Sequence, residues 1–158
     1  KDQKKPINIT YNEGIFVGYR WHDTKKIKPL FSFGHGLSYT TFKFGKAKAD
    51  KTTMGQEDTI TFTVNIKNTG KKAGAEVAQL YISDPKSSVP RPAKELKGFE
   101  KVFLNPGEEK EVSFTIDKTA LSFFDAEKHE WVAEPSIFEA LIGNSSDAIK
   151  TKVKFTLK

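Results

Sequence analysis

Four carboxylates lie in stretches crowded with aromatics and turn residues: Glu13, Asp23, Asp125 and Glu134. Carboxyl-driven acid–base chemistry needs a base and an acid within reach of the same substrate atoms. None of the four has a second carboxylate at a telling spacing. Glu13, within Tyr-Asn-Glu-Gly, is therefore expected to brace its segment by pairing with a neighbour such as Arg20, and the other three to serve turns or the surface. The histidines His22, His35 and His129 are scattered, and cysteine is absent, so no metal-ligand pattern is present. Gly34-His35-Gly36 lacks the flanking strand, helix and lysine of a phosphate loop and is expected to be a connector turn. The most conspicuous binding group is aromatic: Trp131, with Phe123 and Phe124 just before a polar turn at residues 125–129.

The elements that must position these groups are strands. Ile60, Phe62, Val64 and Ile66 alternate with polar residues, the period of a half-buried strand. Asn68-Thr69-Gly70 ends it as a turn. Ala75 to Ser83 places apolar side chains on both faces, which predicts a central strand. Pro85, Pro90 and Pro92 keep residues 84–92 out of any sheet interior. Strands are predicted again over 95–104, around Val112, Phe114 and Ile116, around Phe138, Ala140 and Ile142, and over 149–157. Asn105-Pro-Gly-Glu108 has the chemistry of a β-turn. With a first strand at 42–48, about seven strands separated by short turns predict an all-β, two-sheet antiparallel sandwich of the immunoglobulin-like type. Lys150, Lys152, Lys154 and Lys158 fall on one face of the closing strand, a common guard against edge-to-edge association.

Composition narrows the function classes. Aromatics make up 12% of the 158 residues and phenylalanine alone supplies 13, enough for a proper core. No run of eighteen apolar residues occurs, so no membrane span is predicted. The formal charge of +6 invites a nucleic-acid reading, yet only Arg20 and Arg91 among 26 basic residues are arginine, the residue that grips phosphate and guanine bidentately. No nucleic-acid role is expected. The missing cysteines leave the compartment open, with a leaning toward periplasmic or secreted. Residues 11–42 are too aromatic and glycine-rich for a free tail and too short for a domain; Tyr19, Trp21, Phe31, Phe33 and Tyr39 are expected to pack against something larger.

At the level of motifs the chain resembles a known family. Tyr11-Asn-Glu-Gly-Ile-Phe-Val-Gly-Tyr-Arg20 and Pro29-Leu-Phe-Ser-Phe-Gly-His-Gly-Leu-Ser-Tyr-Thr-Thr41 resemble the end of the second domain of glycoside hydrolase family 3 β-glucosidases. Val77-Ala-Gln-Leu-Tyr-Ile-Ser-Asp-Pro85, Val89-Pro-Arg-Pro92, Glu95-Leu-Lys-Gly-Phe-Glu-Lys-Val102, Leu104-Asn-Pro-Gly-Glu108, Ala120-Leu-Ser-Phe-Phe-Asp125 and Trp131-Val-Ala-Glu-Pro135 are similar to the fibronectin type III-like domain that follows it.

The resemblance implies a barrel domain, an α/β sandwich domain and this terminal β-sandwich in one retaining enzyme acting on β-linked glucosides or xylosides. It also implies that the nucleophilic aspartate and the acid/base glutamate lie outside this chain, so no catalytic residue is assigned. Residues 1–41 are expected to be the tail of the α/β domain, its last strand region ending near residue 24, plus an extended connector. Residues 42–158 are expected to be the fibronectin type III-like sandwich. Expected partners are the barrel and α/β domains of the same enzyme, with a dimer contact as a further role; no cofactor and no metal are implied. Trp131 is the candidate sugar-stacking platform, weighed against a place in the sandwich core or at the interface with those domains.

Overall fold

The computed structural model describes residues 8–158. Its centre is β4 (Ile60–Asn68), whose odd-even alternation puts Ile60, Phe62, Val64 and Ile66 inside. The antiparallel neighbour β7 (Glu109–Ile116) matches it residue for residue, from Ile60 opposite Ile116 to Lys67 opposite Glu109. That register stacks Val112, Phe114 and Ile116 on the same buried face.

The facing sheet has the order β3 (Thr53–Met54), β11 (Ile149–Leu157), β10 (Ser136–Gly143), β5 (Gly74–Ser83), β6 (Glu95–Leu104). Its inner side contributes Leu80, Val102, Phe138, Ile142 and Phe155, all buried. Phe155 joins the two layers: its ring lies 5.2 Å from Phe62 and 5.6 Å from Phe138, centroid to centroid. Each such ring contributes about 1.5–3 kcal/mol by leaving water. This is the sandwich that the alternation predicts.

Two local expectations are corrected. The predicted strand at 42–48 is split into β1 (Phe42–Phe44) and β2 (Lys48–Ala49), both on the same edge of β4. At the break the Ala47 amide donates to the Thr151 hydroxyl of the opposite sheet, 2.9 Å away. The chain touches the opposite layer here, returns to β4 as β2, and crosses only between Ala49 and Thr53, where β3 pairs parallel with the end of β11. Upstream, the expected strand region is not seen in residues 8–24. Gly14 and Gly18 take positive φ (55° and 57°), which bends the chain, and α1 (Tyr19–Lys25) follows until Lys26 turns left-handed. The part of that expectation that falls on residues 1–7 lies outside the described residues.

The segment around α1 covers the outer face of β5. Tyr19 stacks on Phe33 at 4.9 Å, meets the buried Tyr81 edge-on at 5.8 Å, and its hydroxyl accepts the Leu96 amide at 2.8 Å. The Ser146 amide donates to the Phe33 carbonyl at 2.8 Å. Beneath Gly34 lies the Gln79 amide, so near that a Cβ there would come within 2.3 Å of it. Gln79 accepts the Tyr81 hydroxyl and donates to the Asn144 carbonyl. Only glycine fits that contact, which explains Gly34 of the turn without any ligand.

Candidate functional site: an aromatic-rimmed cleft

Between this segment and the sandwich edge lies a cleft of about 710 Å³, within the size range of small-molecule sites. A short hairpin forms its rim. β8 (Phe123–Asp125) and β9 (Glu130–Val132) pair so that Phe124 stands directly opposite Trp131. The intervening turn is shaped by the Asp125 carboxylate, which accepts the Glu127 and Lys128 amides at 3.0 and 3.2 Å, and by His129 at φ 56°. These amide bonds and the paired Lys128 ammonium, 3.1 Å away, hold the Asp125 carboxyl below its usual range. Trp131 is 71% exposed and Phe124 50% exposed; their rings meet at 5.7 Å and 69°. Trp131 therefore is not part of the sandwich core. Nor is the exposed aromatic pair coplanar, as a flat double platform would be.

The floor is charged. Arg91, its side chain only 7% exposed, leaves the proline-rich loop and donates to the Leu121 carbonyl at 2.7 Å and to Glu95 at 2.9 Å. Leu121 ends α2 (Lys118–Leu121), the corner capped by Asp117, whose side chain accepts the Thr119 amide. The guanidinium also faces the Phe123 ring at 5.9 Å and the buried Asp84 carboxylate at 3.8 Å. One side chain thus ties loop, helix corner and hairpin together. Glu95 is shared with Arg20 (3.3 Å) and Lys97 (3.8 Å). Burial alone would raise the Glu95 carboxyl, but the Arg91 hydrogen bond and the three cations outweigh it and hold it low. Burial, opposed by Glu95 and reinforced by both arginines, pulls the Lys97 ammonium down.

The remaining sequence candidates disperse. Arg20 pairs with Glu95, and Glu13 stays exposed, so the expected Glu13–Arg20 brace is replaced by one between α1 and β6. Asp23 pairs with Lys94 at 2.8 Å, a second tie of the same kind. Glu134 accepts the Ser88 amide at 2.7 Å; burial opposes ionisation, yet the Ser88 and Ser87 hydrogen bonds hold it below its usual range. His22 bonds the Ile27 carbonyl through Nδ1, and His35 lies beside Phe31. Of the apolar residues upstream, Tyr19 and Phe33 pack on the sandwich, whereas Leu30, Leu37 and Tyr39 are over nine-tenths exposed. Sequence reasoning missed the Arg20–Glu95–Arg91–Lys97 floor; the four-residue spacing of Arg91 and Glu95 was its only local trace.

A model of the fibronectin type III-like domain matches residues 76–146. The same chain is 54% identical over 144 residues to thermostable β-glucosidase B of Acetivibrio thermocellus, covering 91% of this chain and 19% of that protein. It is 55% identical over 149 residues to β-glucosidase BoGH3A of Bacteroides ovatus, covering 94% and 20%. Among solved structures, the Kluyveromyces marxianus β-glucosidase bound to glucose superimposes with a TM-score of 0.87 at 45% identity, over 94% of this chain and 18% of that one. Thermotoga neapolitana β-glucosidase 3B bound to glucose gives 0.84 at 42% identity, over 92% and 20%. Fold and motif thus define a fibronectin type III-like β-sandwich module. Over nine-tenths of its length the chain is similar to the C-terminal part of glycoside hydrolase family 3 β-glucosidases. It spans about one fifth of the length of these relatives.

Proposed function

We propose that this chain is the accessory C-terminal portion of a retaining β-glucosidase, packing against the catalytic barrel and α/β domains and carrying no catalytic group of its own. The observation that carries the reading is the identity above one half with two β-glucosidases, over nine-tenths of this chain and one fifth of theirs. In this reading residues 1–41 are the tail of the α/β domain with a connector, and residues 42–158 the accessory sandwich.

Two physical features support it. Leu30, Leu37 and Tyr39 expose apolar side chains in one short stretch, suited to burial under a further domain. Retaining hydrolysis also needs a carboxyl kept protonated near neutral pH beside a second one roughly 5–5.5 Å away. The carboxyls of Glu95, Asp125, Glu134 and Asp147 are each held lower than usual by hydrogen bonds and neighbouring cations. Such groups remain ionised and cannot donate the proton. The reading also allots a loop toward the substrate entrance or a dimer contact to the proline-rich loop from Asp84 to Leu96. The purified chain is expected to release no glucose from an aryl β-glucoside, and removal of its sandwich from the parent enzyme to lower activity and thermal stability together. Turnover by the purified chain, or an unaffected truncated parent, overturns the proposal.

A further inference from the structure

We propose that the cleft beneath Trp131 is a non-catalytic binding site for oligosaccharides of β-linked glucose or xylose. The proposal rests on the reading above for its ligand class and on the cleft's own geometry for its existence. Three observations meet there. Trp131 and Phe124 present broad apolar surface that nothing among the described residues covers. Arg91, Glu95, Arg20 and Lys97 form a fixed polar floor in the same cleft. The guanidinium of Arg91, nine-tenths buried, has five N–H groups and two hydrogen-bond acceptors among the described residues, Leu121 and Glu95.

The chemistry of such a ligand fits both surfaces. A β-linked glucose or xylose unit keeps its substituents equatorial, so each ring face is flat and rich in C–H while the hydroxyls radiate from its edge. The face stacks on an aromatic ring, and the edge hydroxyls accept from arginine and lysine and donate to a carboxylate. The perpendicular arrangement of the two rings leaves one indole face for a sugar, with the Phe124 ring as a side wall. One sugar unit seated on Trp131 is therefore expected, flanked by hydroxyl contacts to the floor. An axial hydroxyl, as in galactose, spoils one apolar face and should weaken binding.

Trp21 and Trp131 are the only tryptophans, so fluorescence isolates the site. The full 158-residue chain carrying Trp21→Phe is titrated with cellotetraose, with xylotetraose and with a β-linked galactotetraose. The expected result is a saturable change in Trp131 emission with the first two and a weaker one with the third. Phe124→Ala should weaken binding about tenfold, the order of one aromatic contact. Calorimetry of Trp131→Ala should show a comparable loss, and Trp131→Phe should restore part of it. Both side chains are exposed, and unchanged thermal melting of the variants checks that the fold is intact. No saturable response to cellotetraose or xylotetraose, or affinity that survives Trp131→Ala, overturns the site. Either negative leaves the accessory role standing, because that role is judged by aryl glucoside turnover and by truncation of the parent.

Discussion

Gly34→Ala tests the seating of the upstream segment on the sandwich. At φ +82° an alanine carries about 1–3 kcal/mol of backbone strain. Its Cβ would also lie 2.3 Å from Nε2, 2.7 Å from Oε1 and 2.9 Å from Cδ of Gln79. Gln79 cannot yield cheaply, because it is buried and bonded to both Tyr81 and the Asn144 carbonyl. Breaking one of those bonds adds about 1–3 kcal/mol. With partial relaxation the combined cost is about 2–4 kcal/mol. The segment can escape that cost by lifting off while the sandwich stays folded, so local opening is the right observable.

The Ser146 amide (to Phe33 O, 2.8 Å) and the Leu96 amide (to Tyr19 Oη, 2.8 Å) report on seating, and the Asn68 amide, bonded to the Glu108 carbonyl, reports on the sandwich. Hydrogen exchange at the first two should quicken roughly 30- to 700-fold, at 1.4 kcal/mol per factor of ten, with little change at the third. Trimming Gln79 as well should recover part of the loss in a double-mutant cycle. Exchange at Ser146 and Leu96 within about threefold of the parent chain would refute the reasoning, since neither strain nor clash would then be felt.

Two further outcomes follow from hydrogen-bonded polar groups. Asn68 is fully buried and uses all its hydrogen-bonding capacity: Nδ2 donates to the Lys72 and Leu104 carbonyls (2.7 and 3.0 Å), and Oδ1 accepts from Thr40 and the Gly70 amide (2.7 and 3.0 Å). Asn68→Ala should cost about 3–5 kcal/mol in urea unfolding, at roughly 1 kcal/mol per bond; a loss below about 1 kcal/mol would contradict this accounting. Stability should also fall in acid. For Glu95, burial is outweighed by Arg91 and the other cations; for Asp147, the Ser32 and Ser145 hydrogen bonds dominate. Both are depressed carboxyls, so their contribution is fully present above the unfolded value near pH 4 and is lost as pH drops through the folded values. Melting temperature should decline below about pH 4, and less steeply in Glu95→Gln; an identical profile in the variant would count against the network.

The strands were legible because burial on one face writes itself into every second residue. Ile60 to Ile66, Val112 to Ile116 and Phe138 to Ile142 follow that rule, and the turn at Asn105-Pro-Gly-Glu108 closes with the Glu108 amide on the Asn105 carbonyl at 3.0 Å and Gly107 at φ 79°. The aromatic rim was legible for a local reason: a tight hairpin brings Phe124 opposite Trp131. The charged floor was not, because Arg20 reaches Glu95 only after the chain has folded over the sheet edge. The Glu13–Arg20 brace failed on the same ground: the positive-φ glycines at 14 and 18 turn the chain between them, and sequence proximity did not become spatial contact. The break between β1 and β2 at Gly45–Ala47 involves Thr151, more than a hundred residues onward, and leaves no local mark.

The lid of aromatic and glycine residues over β5 bears on where this polypeptide could be shortened. Trimmed back to Phe42, the protein would keep both sheets but wet the phenol of Tyr81, strip the cover from Gln79, and lose the carbonyl that greets the Ser146 amide. The smallest piece that keeps the polar groups beneath this lid contented therefore begins upstream of Tyr19, well ahead of its first strand.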